Sequence, residues 1–153
     1  MATFIGDYTC KMDAKCRVLF PSAFKKQIGE QEEYRFVVKK DIFENCLVLY
    51  TDEEWNRQNQ IIRRKINPYN KEHNRFLRNF FRGTAELSLD GNGRFLLPKR
   101  LLEEVGIDKE IVMAGMDNKI EIWSKNVYES QDVQDDFATL AENILGGFES
   151  LED

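Results

Sequence analysis

The sequence predicts an α+β protein with a mainly β core, built from two ββαββ-type units. The units are related by a pseudo-two-fold and pool their strands into one barrel-like body, with helices at the periphery. Three observations carry this. The chain repeats itself at an offset of 77 residues. Each repeat contains short apolar runs bounded by Gly, Pro, Asn and Asp, the pattern of strands and tight turns. One repeat of about 50 residues buries too little apolar surface to be comfortably stable alone, so the two are expected to share a core.

The repeat is clearest in two stretches. Lys11–Phe24 reads KMDAKCRVLFPSAF and Ser88–Leu101 reads SLDGNGRFLLPKRL. Both have Asp, then Arg four residues on, then three apolar residues, then Pro. The same offset pairs Phe4 with Phe81, Gly6 with Gly83 and Gly29 with Gly106. Small gaps then align FVVKKDIFENCLVLYTDEEW with IVMAGMDNKIEIWSKNVY, bringing Asn45 onto Asn118, Tyr50 onto Trp123 and Trp55 onto Tyr128.

Each unit thus begins with a strand entering an Asp-x-x-x-Arg turn. An apolar strand runs from the turn to Pro21 or Pro98, which suits the first turn of a helix. That helix is about two turns long and stops at Gly29 or Gly106, since Gly is the favoured residue just past a helix. RFVVKK and CLVLYT are the next two strands of the first unit, EIVMAG and KIEIWS those of the second. Turn formers at 41–45 and 117–118 connect them. Between the units two helices are expected. The first has Asp52 as N-cap and apolar positions Trp55, Ile61, Ile62 and Ile66, and stops before Pro68. The second spans about Asn70 to Arg82 with Tyr69, Phe76, Leu77, Phe80 and Phe81 as an apolar stripe. Ser124 is placed to cap a last helix, whose amphipathic part FATLAENIL ends at Gly146-Gly147, with a frayed FESLED end. The expected organisation is a first unit over 4–51, a helical connector over 52–82, a second unit over 83–124 and an acidic C-terminal helix and tail over 125–153.

Charge narrows the function. The 153 residues carry a net charge of −5, unevenly distributed. Residues 56–82 hold eight Lys/Arg against one Asp/Glu, and residues 128–153 hold eight Asp/Glu and no Lys or Arg. No apolar run approaches membrane-spanning length, and no secretory signal is expected. The three cysteines form no C-x-x-C pair and His73 is the only histidine, so neither a structural zinc site nor any other metal or cofactor is expected. A reduced, cytosolic compartment is the simplest reading. No nucleophile–base set, P-loop or dinucleotide motif is present, so the chain is not expected to be an enzyme or to take a small-molecule substrate.

The doubled turn is the best candidate site. Taken once, Asp13–Arg17 reads as a turn closed by a surface ion pair of little consequence. Taken twice, Asp13, Asp90 and Gly93 read as turn-structuring residues that project Arg17 and Arg94 outward. Arg suits phosphate oxygens and guanine edges. Lys15 lies in the first turn. Lys25, Lys26, Lys99 and Arg100 lie on the helices behind and extend the positive surface.

DAKCRVLFP and DGNGRFLLP resemble the D-x-x-G-R-h-x-h-P signature, h being apolar, of the AbrB-type swapped-hairpin DNA-binding fold. With FIGDY, LYTDEEW, RFLRNFFRGTAEL and IEIWSKNVYE, over residues 4–128, the chain resembles the MraZ family of bacterial transcriptional regulators. The resemblance implies two AbrB-like units with exchanged hairpins, a ring-shaped homo-oligomer and a nucleoid-associated location. It further implies binding of double-stranded DNA at short direct repeats, upstream of the division and cell-wall gene cluster that begins with the family's own gene. It assigns the DNA contacts to Arg17 and Arg94, with Lys15 at the family's lysine position and Asn92 in its place in the second loop.

Cys16 departs from the signature, which has Gly there. Either Cys16 adopts a strained positive φ or the first loop has another shape. A distorted loop would favour the alternative reading of an oligomeric protein-interaction module that has lost DNA binding. A thiol between Lys15 and Arg17 is also a candidate reactive group. His73 is expected to be a packed, hydrogen-bonded core residue. The basic row Lys71, Arg75, Arg78 and Arg82 is open to three readings: a solvated face, a partner for the acidic tail, or a DNA contact.

Overall fold

In chain order the elements are β1 (Asp7–Lys11), β2 (Arg17–Leu19), α1 (Ser22–Ile28), β3 (Arg35–Lys40), β4 (Leu47–Thr51), α2 (Asp52–Lys65) and α3 (Lys71–Phe81). They continue as β5 (Ala85–Ser88), β6 (Arg94–Leu96), α4 (Lys99–Glu104), β7 (Glu110–Met116), β8 (Lys119–Ser124), α5 (Lys125–Ser130) and α6 (Gln134–Leu145). The structure, a computed structural model, describes residues 2–130 and 134–146. The expected FESLED terminus and Gly147 lie outside the described residues.

Six strands form one antiparallel sheet in the order β1-β7-β8-β4-β3-β5, and β2 pairs with β6 as a separate ribbon. Exchanging the repeats reverses the six-strand order onto itself, which is the pseudo-two-fold expected from the sequence. The axis passes between Val48 and Glu121 of β4 and β8, and between Val18 and Phe95 of β2 and β6. Each unit's first strand joins the other unit's hairpin. β1 lies on β7 with Tyr8 opposite Met113, and β5 lies on β3 with Leu87 opposite Phe36. The shared barrel-like core therefore takes the form of an open six-stranded sheet closed over by a ribbon. The fold is α+β with a mainly antiparallel β core.

The buried faces meet in one cluster. Phe24, Phe36, Phe95, Leu47, Leu49, Ile111, Met113, Ile120 and Ile122 are each no more than 1% exposed. Phe20 joins the halves, its ring 5.0 Å from Phe36 and 5.8 Å from Phe95. The N-terminal segment packs closely over β7. Phe4 bridges Asp117, and a Cβ on Gly115 would stand 2.7 Å from the Phe4 carbonyl carbon. Only glycine allows that backbone approach.

The helices follow the expected bounds with two corrections. Thr51, not Asp52, caps α2: its side chain accepts from the Glu54 amide at 3.2 Å, and Asp52 is the first helical residue. Thr-x-x-Glu is a capping-box pattern. The run expected from Ser124 is helical at α5 and at α6, and residues 131–133 between them lie outside the described residues. His73 is not a core residue. It is half-buried at the α2–α3 turn, where its Nδ1 accepts from the Asn67 amide at 2.9 Å. The aromatic stripe of α3 is only partly used. Phe80 stacks on Trp55 at 5.7 Å, whereas Tyr69 is 95% exposed.

Candidate nucleic-acid interface

Each Asp-x-x-x-Arg turn is a three-residue loop closed by its own Asp. In the first, Asp13 Oδ1 accepts from the Lys15 and Arg17 amides, both at 2.9 Å, while Asp13 N donates to the Arg17 carbonyl at 3.0 Å. In the second, Asp90 Oδ1 accepts from Asn92 at 2.8 Å and Arg94 at 3.0 Å, and Asp90 N donates to Arg94 at 2.7 Å. Asp suits the position because one short carboxylate gathers two amides that the tight loop leaves unpaired. These bonds favour the charged form. The Arg17 amide first, then the Arg17 side chain and Lys15 amide, hold Asp13 below the usual carboxylate range. The Arg94 and Asn92 amides do the same for Asp90, with the charges of Arg94 and Arg17 adding to them.

The third loop residue must turn left-handed. Gly93 has φ +77° and Cys16 has φ +63°, so the strained alternative holds and both loops share one shape. A three-residue hairpin loop places an αL residue there. The carbonyl of that residue is then used by the other unit: Phe20 N donates to Gly93 O and Leu97 N to Cys16 O, both at 3.0 Å. Loops and ribbon are thus one hydrogen-bonded body. The Cys16 side chain is half-buried and packs on the core cluster, which offsets part of its backbone strain.

β2 and β6 alternate. Val18 and Phe95 are buried, while Arg17, Leu19, Arg94 and Leu96 face outward. The register sets Arg17 opposite Leu96 and Leu19 opposite Arg94. The outward face is therefore two apolar side chains, 53% and 55% exposed, interleaved with two guanidinium groups. Both loops and the ribbon line one groove of about 280 Å³, formed by Lys11, Asp13, Arg17, Leu19, Asp90, Asn92 and Arg94. The two arginines differ. Arg17 Nε donates to Asp13 Oδ2 at 2.8 Å, whereas Arg94 makes no ion pair among the described residues.

The structure brings Arg17, Arg94, Asp13 and Asp90 together, with Gly93 and the exposed Lys15 in the loops themselves. The helical cations stand apart from the groove. Lys25 lies over the Tyr34 ring at 5.0 Å, and Lys26 and Lys99 are exposed on α1 and α4. Arg100 donates through Nη1 to the Gly83 carbonyl at 2.7 Å, which anchors α4 to the start of the second unit. Sequence reasoning missed Lys11, Leu19 and Leu96 as members of the face. The signal for the two leucines was the alternation R-V-L and R-F-L, which places the third residue beside the Arg.

A family model described as "MraZ protein, putative antitoxin-like" matches residues 3–79 and again residues 80–146. The chain belongs to the MraZ family. It is 44% identical over 151 residues to the transcriptional regulator MraZ of Christiangramia forsetii, covering 95% of each chain. It is 40% identical over 148 residues to that of Flavobacterium psychrophilum, covering 95% of this chain and 94% of the other. For Syntrophomonas wolfei the identity is 36% over 147 residues, covering 93% and 96%. These relatives are named as regulators, not as enzymes, in keeping with a groove that presents cations and leucines. Among the described residues no helix is long and apolar enough to cross a membrane.

Proposed function

We propose that this MraZ-family chain is a transcriptional regulator that binds double-stranded DNA through the β2–β6 ribbon and its two loops. A single observation carries the reading: Arg17 and Arg94, from distant parts of the sequence, lie on one outward face related by the pseudo-two-fold. A two-stranded ribbon fits the major groove of B-DNA, arginine pairs with guanine edges, and an apolar side chain contacts the thymine methyl. The interleaved Arg and Leu side chains match that chemistry. The names of the relatives support regulation of transcription. The interaction-module alternative rested on a distorted first loop, and the Cys16 loop keeps the bonding of its twin.

In this reading Lys15 and Lys11 contact phosphate beside the groove, and Lys25, Lys26, Lys99 and Arg100 supply a more distant positive field. A ribbon of three residues per strand reads few bases. A homo-oligomeric ring on short direct repeats in its own promoter would gain affinity by multivalency. The protein acts in the cytoplasm, on the nucleoid.

The test is fluorescence anisotropy on duplexes from the region upstream of its own gene. Binding is expected to weaken steeply with salt as phosphate contacts release counterions. Arg17→Ala and Arg94→Ala are each expected to weaken binding about tenfold or more, the scale of one lost guanine contact. Wild-type binding by both folded variants would show that the ribbon is not the contact surface.

A further inference from the structure

The pseudo-two-fold that pairs the two loops does not pair their chemistry. Lys15 of the first loop has Asn92 as its counterpart in the second, although the loops share one hydrogen-bonded shape. Asn92 lines the ribbon groove with Asp90 and Arg94, whereas Lys15 is exposed and lies outside it. The Asn92 backbone N–H is held by Asp90, and its side-chain carboxamide makes no hydrogen bond among the described residues. Lys11 also lines the groove, while its counterpart Ser88 is engaged elsewhere, its hydroxyl donating to Glu33 Oε1 at 3.2 Å. Arg17 is tied through Nε to Asp13, and Arg94 is in no ion pair among the described residues. A backbone with two-fold symmetry therefore presents a groove with two unlike halves.

We propose that Asn92 reads an adenine edge in the major groove beside the guanine taken by Arg94, and that the chain thereby binds its duplex in one orientation. The proposal rests on the ribbon being the DNA surface. Adenine presents a donor at N6 and an acceptor at N7, and a carboxamide returns an acceptor and a donor to them. Guanine presents two acceptors there, which suits Arg94 and sets the Asn92 Oδ1 against an oxygen with no proton between them. An amide carries no charge, so Asn92 releases no counterion from the duplex. Lys15 is the reverse: a compact charge with donors and no acceptor, outside the groove, suited to phosphate. Turning the duplex end for end would bring the adenine to the first loop, which has no side chain to match it.

The experiment selects a duplex for the full-length protein from a randomised pool. Every single-base substitution of that duplex then competes with it at several salt concentrations, with circular dichroism confirming the fold of each variant. Wild type is expected to favour adenine about tenfold at one position flanking a guanine, the scale of one bidentate pair. Asn92→Ala is expected to flatten that position alone and to leave the salt slope unchanged. Asn92→Lys, a side chain the twin loop already carries, is expected to change the preference there from adenine to guanine, which offers two acceptors to a donor-only group. Lys15→Ala is expected to weaken all duplexes alike and to lower the salt slope by about one. No adenine position in wild type, an adenine preference that survives Asn92→Ala or Asn92→Lys, or a Lys15→Ala variant that flattens one base position would each overturn the proposal and leave the ribbon as the DNA surface. Binding unimpaired by both Arg17→Ala and Arg94→Ala would remove that reading and this proposal with it.

Discussion

At position 16 the chain places a cysteine where the loop demands a left-handed backbone, φ +63°. An L-residue with a Cβ is held there at a cost of about 1–2 kcal/mol. Cys16→Gly removes that strain and loses about 0.5–1 kcal/mol to unfolded-chain entropy. The variant is expected to gain up to about 1 kcal/mol, read as a higher urea midpoint at unchanged slope. The adjoining aspartates set an acid limit. Asp13 and Asp90 have folded pKa values below their unfolded ones. Their contribution is therefore complete above the unfolded carboxylate pKa of about 4 and is lost as pH falls through the lower, folded value. Asp13→Asn/Asp90→Asn is expected to flatten the stability profile in that acidic window, checked by thermal melts from neutral to strongly acidic pH. The identity of these loop residues was legible from the repeat. The shape of the Cys16 loop was not, because the backbone of one residue is decided by hydrogen bonds to the other unit.

Among the elements, α2 shows how a local signal and a distant partner divide the work. Thr51 and the acidic first turn start the helix as its dipole requires. Glu54 then turns away from the cap and is buried. Its carboxylate accepts from Arg57 Nε, Gln58 Nε2 and, across the molecule, Asn118 Nδ2 at 3.0 Å in the β7–β8 turn. Burial works to raise its pKa, and the hydrogen bonds from Arg57, Gln58 and Asn118 outweigh it, leaving the carboxyl below the usual range. Glu54→Ala is expected to cost about 2 kcal/mol, the scale of leaving buried donors unpaired, measured by denaturant unfolding. The helix itself was legible from capping residues and period. The burial of Glu54 was not, since the capping-box pattern marks the position but not its distant partner Asn118. Likewise α3 was placed by its stripe, but which aromatics it buries depends on Trp55 and on Lys39, whose Nζ lies 4.3 Å from the Phe80 ring.

For the whole molecule, the interleaved order β1-β7-β8-β4-β3-β5 makes each repeat dependent on the other. Neither half alone can pair its first strand. Cutting the chain in the exposed turn between α2 and α3, as fragments 1–67 and 68–153, is expected to give no folded monomer from either piece. Mixing should restore the native spectrum at one-to-one stoichiometry. A fragment that folds as a monomer would show that the exchange is dispensable.

The sequence by itself determined the two-unit plan, the α+β class, most element bounds and the residues of both Asp loops. Periodicity, capping and repetition are local properties, and the small size of one unit forces the two to share a core. Only the tertiary structure decided which strands pair, and that Arg17, Leu19, Arg94 and Leu96 make one face. It also decided that Arg17 is tied to Asp13 by an ion pair while Arg94 makes none among the described residues. Those outcomes depend on contacts between residues far apart in the chain, which no local pattern encodes.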